Sequence, residues 1–411
     1  MEYIFKKYYQ NKDYKKIYES RINFEETLNL NFEVKNNPLY YVFNSYSTNL
    51  IEKIRILDNE IENIFEALPI VARESFFDDI IVEEIFSSNE IEGVQSTREE
   101  ILLTKKNISE NGYSKQRFAS VINSYSKLEK DEKLDSLEDI RSYYDKILGD
   151  EVNIEDKPEG ELFRKNDVFI QSNKSYDGSI LHKGTDPKMI NEYLDKRIDF
   201  MNNENLHLLI RVAIGHYIFE YIHPFYDGNG RIGRFFSSMY VNHSYSHITS
   251  LAVSRGAFIK KNDYYKSFMQ TNERLNMGEL NYFVDEFLKI IIKAQEDMKD
   301  LLMLNNSKLI ESLEWLEKSF DFTDEEVNIL LILTQDYIFS QGIGVSRKKL
   351  LKALEITGYS NASKNKRYFA KLEKDGYIDK VKSRPIIYKL SKDLISYIDG
   401  NIWLILLLDS L

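Results

Sequence analysis

His223-Pro224-Phe225-Tyr226-Asp227-Gly228-Asn229-Gly230-Arg231-Ile232-Gly233-Arg234 gathers a possible base, a carboxylate, three glycines and two arginines in one short stretch. Ahead of it, Leu206, Leu209, Ile210, Ala213, Ile214, Tyr217, Ile218 and Tyr221 recur at the spacing of one helical face, and Pro224 disfavours helical geometry at His223. His223 is therefore expected where a buried helix ends. Beyond the stretch, Ile232, Phe235, Phe236, Met239 and Tyr240 keep the same spacing. A second helix is expected from about Gly230, with the glycines in the turn between the two. Gly228 and Gly230 permit positive φ and close approach to a ligand, and amides at a helix start favour an anion. Arg231 and Arg234 add two guanidinium forks that match phosphate oxygens. The pattern suits a polyphosphate, with Asp227 placed to hold magnesium and His223 to act as a general base.

The run Gly228 to Gly233 also fits the Gly-x-Gly-x-x-Gly of dinucleotide-binding folds. It follows a helix-periodic segment rather than a strand, however, and the first acid after it is Asp263, too far on to meet a ribose.

Taken whole, the stretch resembles the signature of the Fic family, His-Pro-Phe-x-Asp/Glu-Gly-Asn-Gly-Arg-x-x-Arg, at every specified position. The resemblance implies a protein adenylyltransferase that moves AMP from ATP to a Ser, Thr or Tyr hydroxyl of a target protein. It implies that His223 deprotonates that hydroxyl and that Asp227 binds Mg2+. Asn229 and the amides around Gly228 and Gly230 would hold the phosphates, Arg231 the β-phosphate and Arg234 the γ-phosphate, while Phe225 anchors the loop. The alternatives are a protein de-AMPylase and a nucleotide-sensing, DNA-binding regulator.

Upstream, Ser88-Asn89-Glu90-Ile91-Glu92-Gly93 places Ser88 and Glu92 on one face of a helix that Gly93 can end. It resembles the inhibitory motif of the same family, Ser/Thr-x-x-x-Glu-Gly/Asn. The resemblance implies that Glu92 pairs with Arg234 and competes with the γ-phosphate. Residues 168–182 read as two short strands joined by a polar loop, similar to the family's flap, which aligns a target segment by strand addition. Tyr264 and Tyr265 fall where related proteins contact adenine. His243 and His247 have a metal-compatible spacing, but no His-Glu-x-x-His motif and no cysteine completes a site.

Over 411 residues the chain is 43% apolar, enough for buried cores, and the absence of cysteine is compatible with a reducing cytoplasm, where the protein is expected. Its longest apolar run, 402–408, is far short of the roughly twenty residues that span a bilayer, so no membrane association is expected. That run is read as a core or homodimer contact. The net charge of −11 is uneven: residues 345–390 hold ten lysines and three arginines against four acids, leaving the remainder at −20.

Three regions are expected: a helical one over 1–94 carrying the inhibitory helix, a catalytic core over 95–310, and a winged-helix domain over 311–411. In the first, Thr48 is read as the cap of a helix through Phe65, and a second helix as covering Phe77 to Ser88. In the last, Thr323 to Glu326 form a capping box. Two helices and two strands follow it in winged helix-turn-helix order, and the basic second helix could lie on duplex DNA. The expected fold is mainly α, with a helical core of Fic type and a small β-hairpin flap.

Overall fold

The computed structural model describes residues 2–10, 13–158, 162–171, 180–319, 321–340, 342–356, 358 and 362–408, and the chain is mainly helical. Its contacts divide it into two compact units, one of residues 1–59 and 81–297, the other of 60–80 and 298–411. The region expected as 1–94 is thus shared between both.

In the first unit, two short helices lead into a hairpin of β1 (Thr27–Val34) and β2 (Asn37–Val42). Lys35 and Asn36 turn between them with φ of 50° and 65°, the left-handed pair that tight hairpins require. Helix α1 (Ser45–Ala67) begins earlier than the sequence reading placed it, because Asn44 and not Thr48 caps it: Asn44 Oδ1 accepts from the amides of Tyr46 and Ser47 at 3.0 and 3.1 Å. Helix α2 (Ile70–Glu92) is longer than the expected Phe77–Ser88 segment, starting after Pro69, which suits a first turn. It ends at Gly93, whose φ of 74° lets the Val94 amide fold back to the Asn89 carbonyl at 2.9 Å.

The framework of the site is α3 (Leu137–Leu148), α4 (Ile190–Met201), α5 (Leu208–Ile222), α6 (Asn229–Val241) and α7 (Lys261–Thr271). Almost every residue of α5 and α6 is buried, so their apolar spacing marks helices enclosed on all sides rather than one amphipathic face. Strands β3 (Phe169–Gln171) and β4 (Ile180–Lys183) pair antiparallel, Ile170 opposite His182. The loop of the expected flap, including Gly178 and Ser179, lies outside the described residues.

The second unit takes the C-terminal part of α8 (Asn281–Ser319), then α9 (Asp324–Ser340), α10 (Arg347–Ile356), α11 (Ala362–Lys374) and α12 (Lys392–Leu408). The Thr323 amide donates to Glu326 Oε2 at 3.0 Å and the Glu326 amide to Thr323 Oγ1 at 3.4 Å, the reciprocal cap read from the sequence. Strands β5 (Val345–Ser346), β6 (Ile378–Ser383) and β7 (Ile386–Leu390) form an antiparallel sheet in the order β5-β7-β6. Leu330, Leu350, Leu354, Phe369 and Tyr388 fill the core beneath it. The side chains of 402–408, read as a core or dimer contact, lie outside the described residues. Among the described residues no helix is long and apolar enough to cross a membrane.

Candidate active site

Helix α5 ends at His223, whose backbone is left-handed (φ 54°, ψ 63°) while its amide still donates to the Phe219 carbonyl at 3.0 Å. A non-glycine residue adopts that conformation only where its surroundings hold it. Arg164, 2% exposed, does so. Its Nε donates to the His223 carbonyl at 2.7 Å, Nη2 to Thr185 and Ile222 carbonyls at 2.6 and 3.2 Å, and Nη1 to that of Asn166 at 2.7 Å. Sequence reasoning gave Arg164 no role, since nothing in its neighbourhood marks it.

Burial pushes the His223 ring down to a pKa of about 3, with His182 and Arg164 adding to the effect. The imidazole is neutral at physiological pH and able to accept a proton. The backbone of Glu220, hydrogen-bonded to the ring, opposes the shift.

The loop after His223 is closed by its own side chains. Phe225 is fully buried and stacks on Tyr144 with ring centroids 3.7 Å apart, while the Tyr144 hydroxyl donates to the Asp227 carbonyl at 3.1 Å. Asn229, expected at the phosphates, spends its amide elsewhere: Oδ1 accepts from the Phe225 amide at 2.9 Å and Nδ2 donates to the Phe225 carbonyl at 2.8 Å. It braces the loop. Gly228 has φ 81°, and a Cβ at Gly230 would overlap Glu92 Oε1, so only glycine admits that carboxylate. The first amides of α6 precede its first helical hydrogen bond, the place where a helix favours an anion.

Arg231 is 6% exposed and paired through Nη1 with Glu151 Oε2 at 3.1 Å and through Nη2 with Asp227 Oδ2 at 3.2 Å. Burial pushes Glu151 up to about 7 despite Arg231 and Arg117 beside it. Glu151 is a site residue the sequence reading missed. Asp227 Oδ1 also accepts from the Gly228 amide at 2.6 Å, and half of the side chain remains exposed. Asp227, half exposed, is the carboxylate here that could join the shell of Mg2+, which takes one or two protein carboxylates and completes its coordination with phosphate and water.

Arg234, 1% exposed, meets α2. Its Nη2 donates to Glu92 Oε1 at 2.8 Å and to Ser88 Oγ at 3.0 Å, and Nε reaches the same hydroxyl at 3.2 Å. Burial alone lowers the guanidinium pKa, but Glu92 first, then Tyr264 and Glu220, hold it above its usual value. Ser88, Glu92 and Arg234 are thus brought together.

The two tyrosines expected at adenine differ in exposure, Tyr264 being buried and Tyr265 41% exposed. Tyr264 is 3% exposed with its hydroxyl 2.8 Å from His216 Nε2, because α7 turns that face into the core; Tyr265 donates to the Ile91 carbonyl at 2.9 Å. His243 and His247 each bond a different backbone carbonyl, those of Glu132 and Tyr125, at 2.7 and 2.9 Å.

The Fic/DOC family model matches residues 133–241. Among solved structures, the chain is similar to a Fic family protein from Desulfovibrio desulfuricans G20, at 18% identity over 86% of this chain and 98% of that one, TM-score 0.48. It is similar also to a portion of Fic-1 from C. elegans, at 18% identity over 62% and 72%, TM-score 0.40. A Fic domain-containing signaling protein from Bacteroides thetaiotaomicron VPI-5482 matches at 17% over 63% and 97%, TM-score 0.40. With the motif intact and its loop braced by Phe225 and Asn229, the chain carries a Fic/DOC family domain at residues 133–241.

Proposed function

We propose that the chain is a protein adenylyltransferase restrained by Glu92. The observation that carries this reading is the Arg234 guanidinium, positioned beside the His223 loop yet held by Glu92 and Ser88. ATP would lie along the start of α6, its phosphates on the amides there, with Arg231 and Arg234 toward the β- and γ-phosphates. A target hydroxyl oxygen attacks the α-phosphorus, its proton passes to neutral His223, and pyrophosphate leaves. Asp227 would hold Mg2+, which supplies charge neutralisation to the phosphates when bound. The target segment would pair with the edge of the β3–β4 hairpin, a mode that sets backbone register with little sequence specificity. While Glu92 occupies Arg234, the γ-phosphate lacks its partner and the triphosphate is misaligned.

The test is AMP incorporation from α-labelled ATP, into the protein itself and into lysate proteins. Glu92→Gly should exceed wild type by at least tenfold, since alignment of reacting groups is worth orders of magnitude. Adding His223→Ala should abolish the gain while nucleotide binding persists. Wild-type activity in Glu92→Gly would sink the reading.

A second reading is removal of AMP. Only Oε1 of Glu92 is engaged among the described residues, leaving Oε2 able to orient a water. A wild-type protein that strips AMP from modified substrates, with Glu92→Gly unable to, would select it.

The second unit also supports a proposal. Its helices and small sheet follow winged-helix order, and Lys366, Arg367, Lys374, Lys380, Lys382 and Arg384 are exposed. We assign it weak binding to duplex DNA through phosphate contacts.

A further inference from the structure

The carbonyls of Tyr221 and Ile222 lie past the last helical hydrogen bond of α5 and need partners from outside the helix. Both find them on the strand that leaves the expected flap. His182 Nε2 lies 2.7 Å from the Tyr221 carbonyl, and the Thr185 amide donates to the Ile222 carbonyl at 3.2 Å. Arg164 closes the arrangement, its Nη2 donating to the carbonyls of Thr185 and Ile222 together. The end of the helix that delivers His223 is thus capped by the base of the β3–β4 hairpin.

His182 is the one side chain of β4 in that cap, and the chemistry above leaves it unused. A carbonyl only accepts, so the ring proton sits on Nε2 and is donated to Tyr221. Burial keeps the ring below the ordinary histidine pKa, so it is neutral at physiological pH and this is its one proton. The ring also lies against that of Tyr221, with centroids 4.6 Å apart. Within the hairpin His182 stands opposite Ile170 of β3, so a single side chain ties the paired strands to α5.

Register is what such a tie controls. One residue along a strand is about 3.3 Å, and a slip of one position turns every side chain to the other face. Reacting atoms must come within about 3–3.5 Å of each other, so that slip takes a target oxygen out of reach. The Thr185 bond fixes the base of the strand, and the His182 bond fixes it three residues nearer the loop. We propose that His182 is a positioning residue that sets the register of the β3–β4 hairpin against His223, and so selects which hydroxyl of a paired target segment meets the base. The proposal rests on the adenylyltransferase reading, with the target paired to this hairpin.

The test follows AMP from α-labelled ATP in the full chain carrying Glu92→Gly, with mass spectrometry locating each modified residue of the protein itself and of lysate proteins. Two substitutions separate the bond from the packing. His182→Phe keeps a ring against Tyr221 and removes the donor; His182→Gln removes the ring and keeps an N–H able to reach the same carbonyl. His182→Phe should lower incorporation at the principal site about threefold to tenfold, the scale of one hydrogen bond, and raise the share of AMP at other residues. Its affinity for Mg-ATP by titration calorimetry should be unchanged. His182→Gln should keep both the amount and the pattern of the parent, and thermal melting would show that both variants fold. A fall shared equally by every site assigns His182 to the fold or to the transfer step and overturns the proposal. So does an unchanged pattern in His182→Phe, or a His182→Gln that behaves like it; in these cases transfer by the parent leaves the adenylyltransferase reading standing. If Glu92→Gly transfers no AMP at all, that reading falls and the proposal with it.

Discussion

Glu220, three residues before His223, carries the most distinctive ionisation in the site. Its Oε1 is buried with no hydrogen-bond partner among the described residues, and it lies so close to α6 that a Cβ at Gly233 would overlap it. Burial, then the Glu92 charge, push its pKa up to about 8, although Arg234 and Arg197 oppose the shift. An acid whose folded pKa is raised is bound to its proton more tightly in the folded state. Stability then falls as pH rises from the unfolded value, 4.5, to about 8. Glu220→Gln removes that term and leaves the histidine contributions in place. Its melting temperature minus that of wild type should therefore increase from pH 5 to pH 8, by several degrees across the range. A difference that is constant with pH would contradict the assignment.

Helix α7 determines how firmly the end of α2 is held. Lys261 Nζ donates to the Glu90 carbonyl at 2.8 Å and the Tyr265 hydroxyl to that of Ile91 at 2.9 Å, so both cap the last turn of the helix that presents Glu92. A cation there also meets the negative end of the helix dipole. Ile91 packs with Ala257, Tyr264 and Ile290 beneath. Tyr265→Phe and Lys261→Met should each raise AMP incorporation about twofold to tenfold while Glu92 is present, as the loss of one hydrogen bond implies. Neither should raise it further in Glu92→Gly, where the end of α2 no longer restrains the site. Equal effects in both backgrounds would show that these residues act on the transfer step itself.

Across the molecule, positive charge is concentrated in one segment of an otherwise acidic chain. The surplus of nine positive charges over 345–390 sits in a chain of net −11, so any nucleic-acid contact belongs to that segment. Binding of the full chain to duplex DNA in a gel shift should weaken steeply with salt, and Lys366→Glu with Arg367→Glu should weaken it for every sequence tried. No shift even at low salt would make the second unit a protein-docking module. Lys371 is the exception within the basic helix α11, because it is paired with the buried Glu326 carboxylate at 2.7 Å. Its replacement is expected to cost stability before it alters any such binding.

The sequence by itself determined the features that depend on neighbours along the chain. The end of α5 at His223, the start of α6 after Gly228, the stop of α2 at Gly93 and the reciprocal cap at Thr323 and Glu326 are all governed by residues a few positions apart, within reach of one helical turn. The same locality put Ser88 and Glu92 on one face. Tertiary structure alone decided what that face meets: Arg234 is 142 positions from Glu92, and only the packing of α2 on α6 closes the gap. It also supplied the partners that no local pattern marks. Arg164 props His223 from 59 positions away, Glu151 pairs with Arg231 from 80, and Tyr264 stands behind His216 from 48. It gave Asn229 and Tyr265 partners within the protein, the Phe225 backbone and the Ile91 carbonyl. A buried polar atom must find a partner wherever the fold brings one, and chain order places no limit on which residue that is.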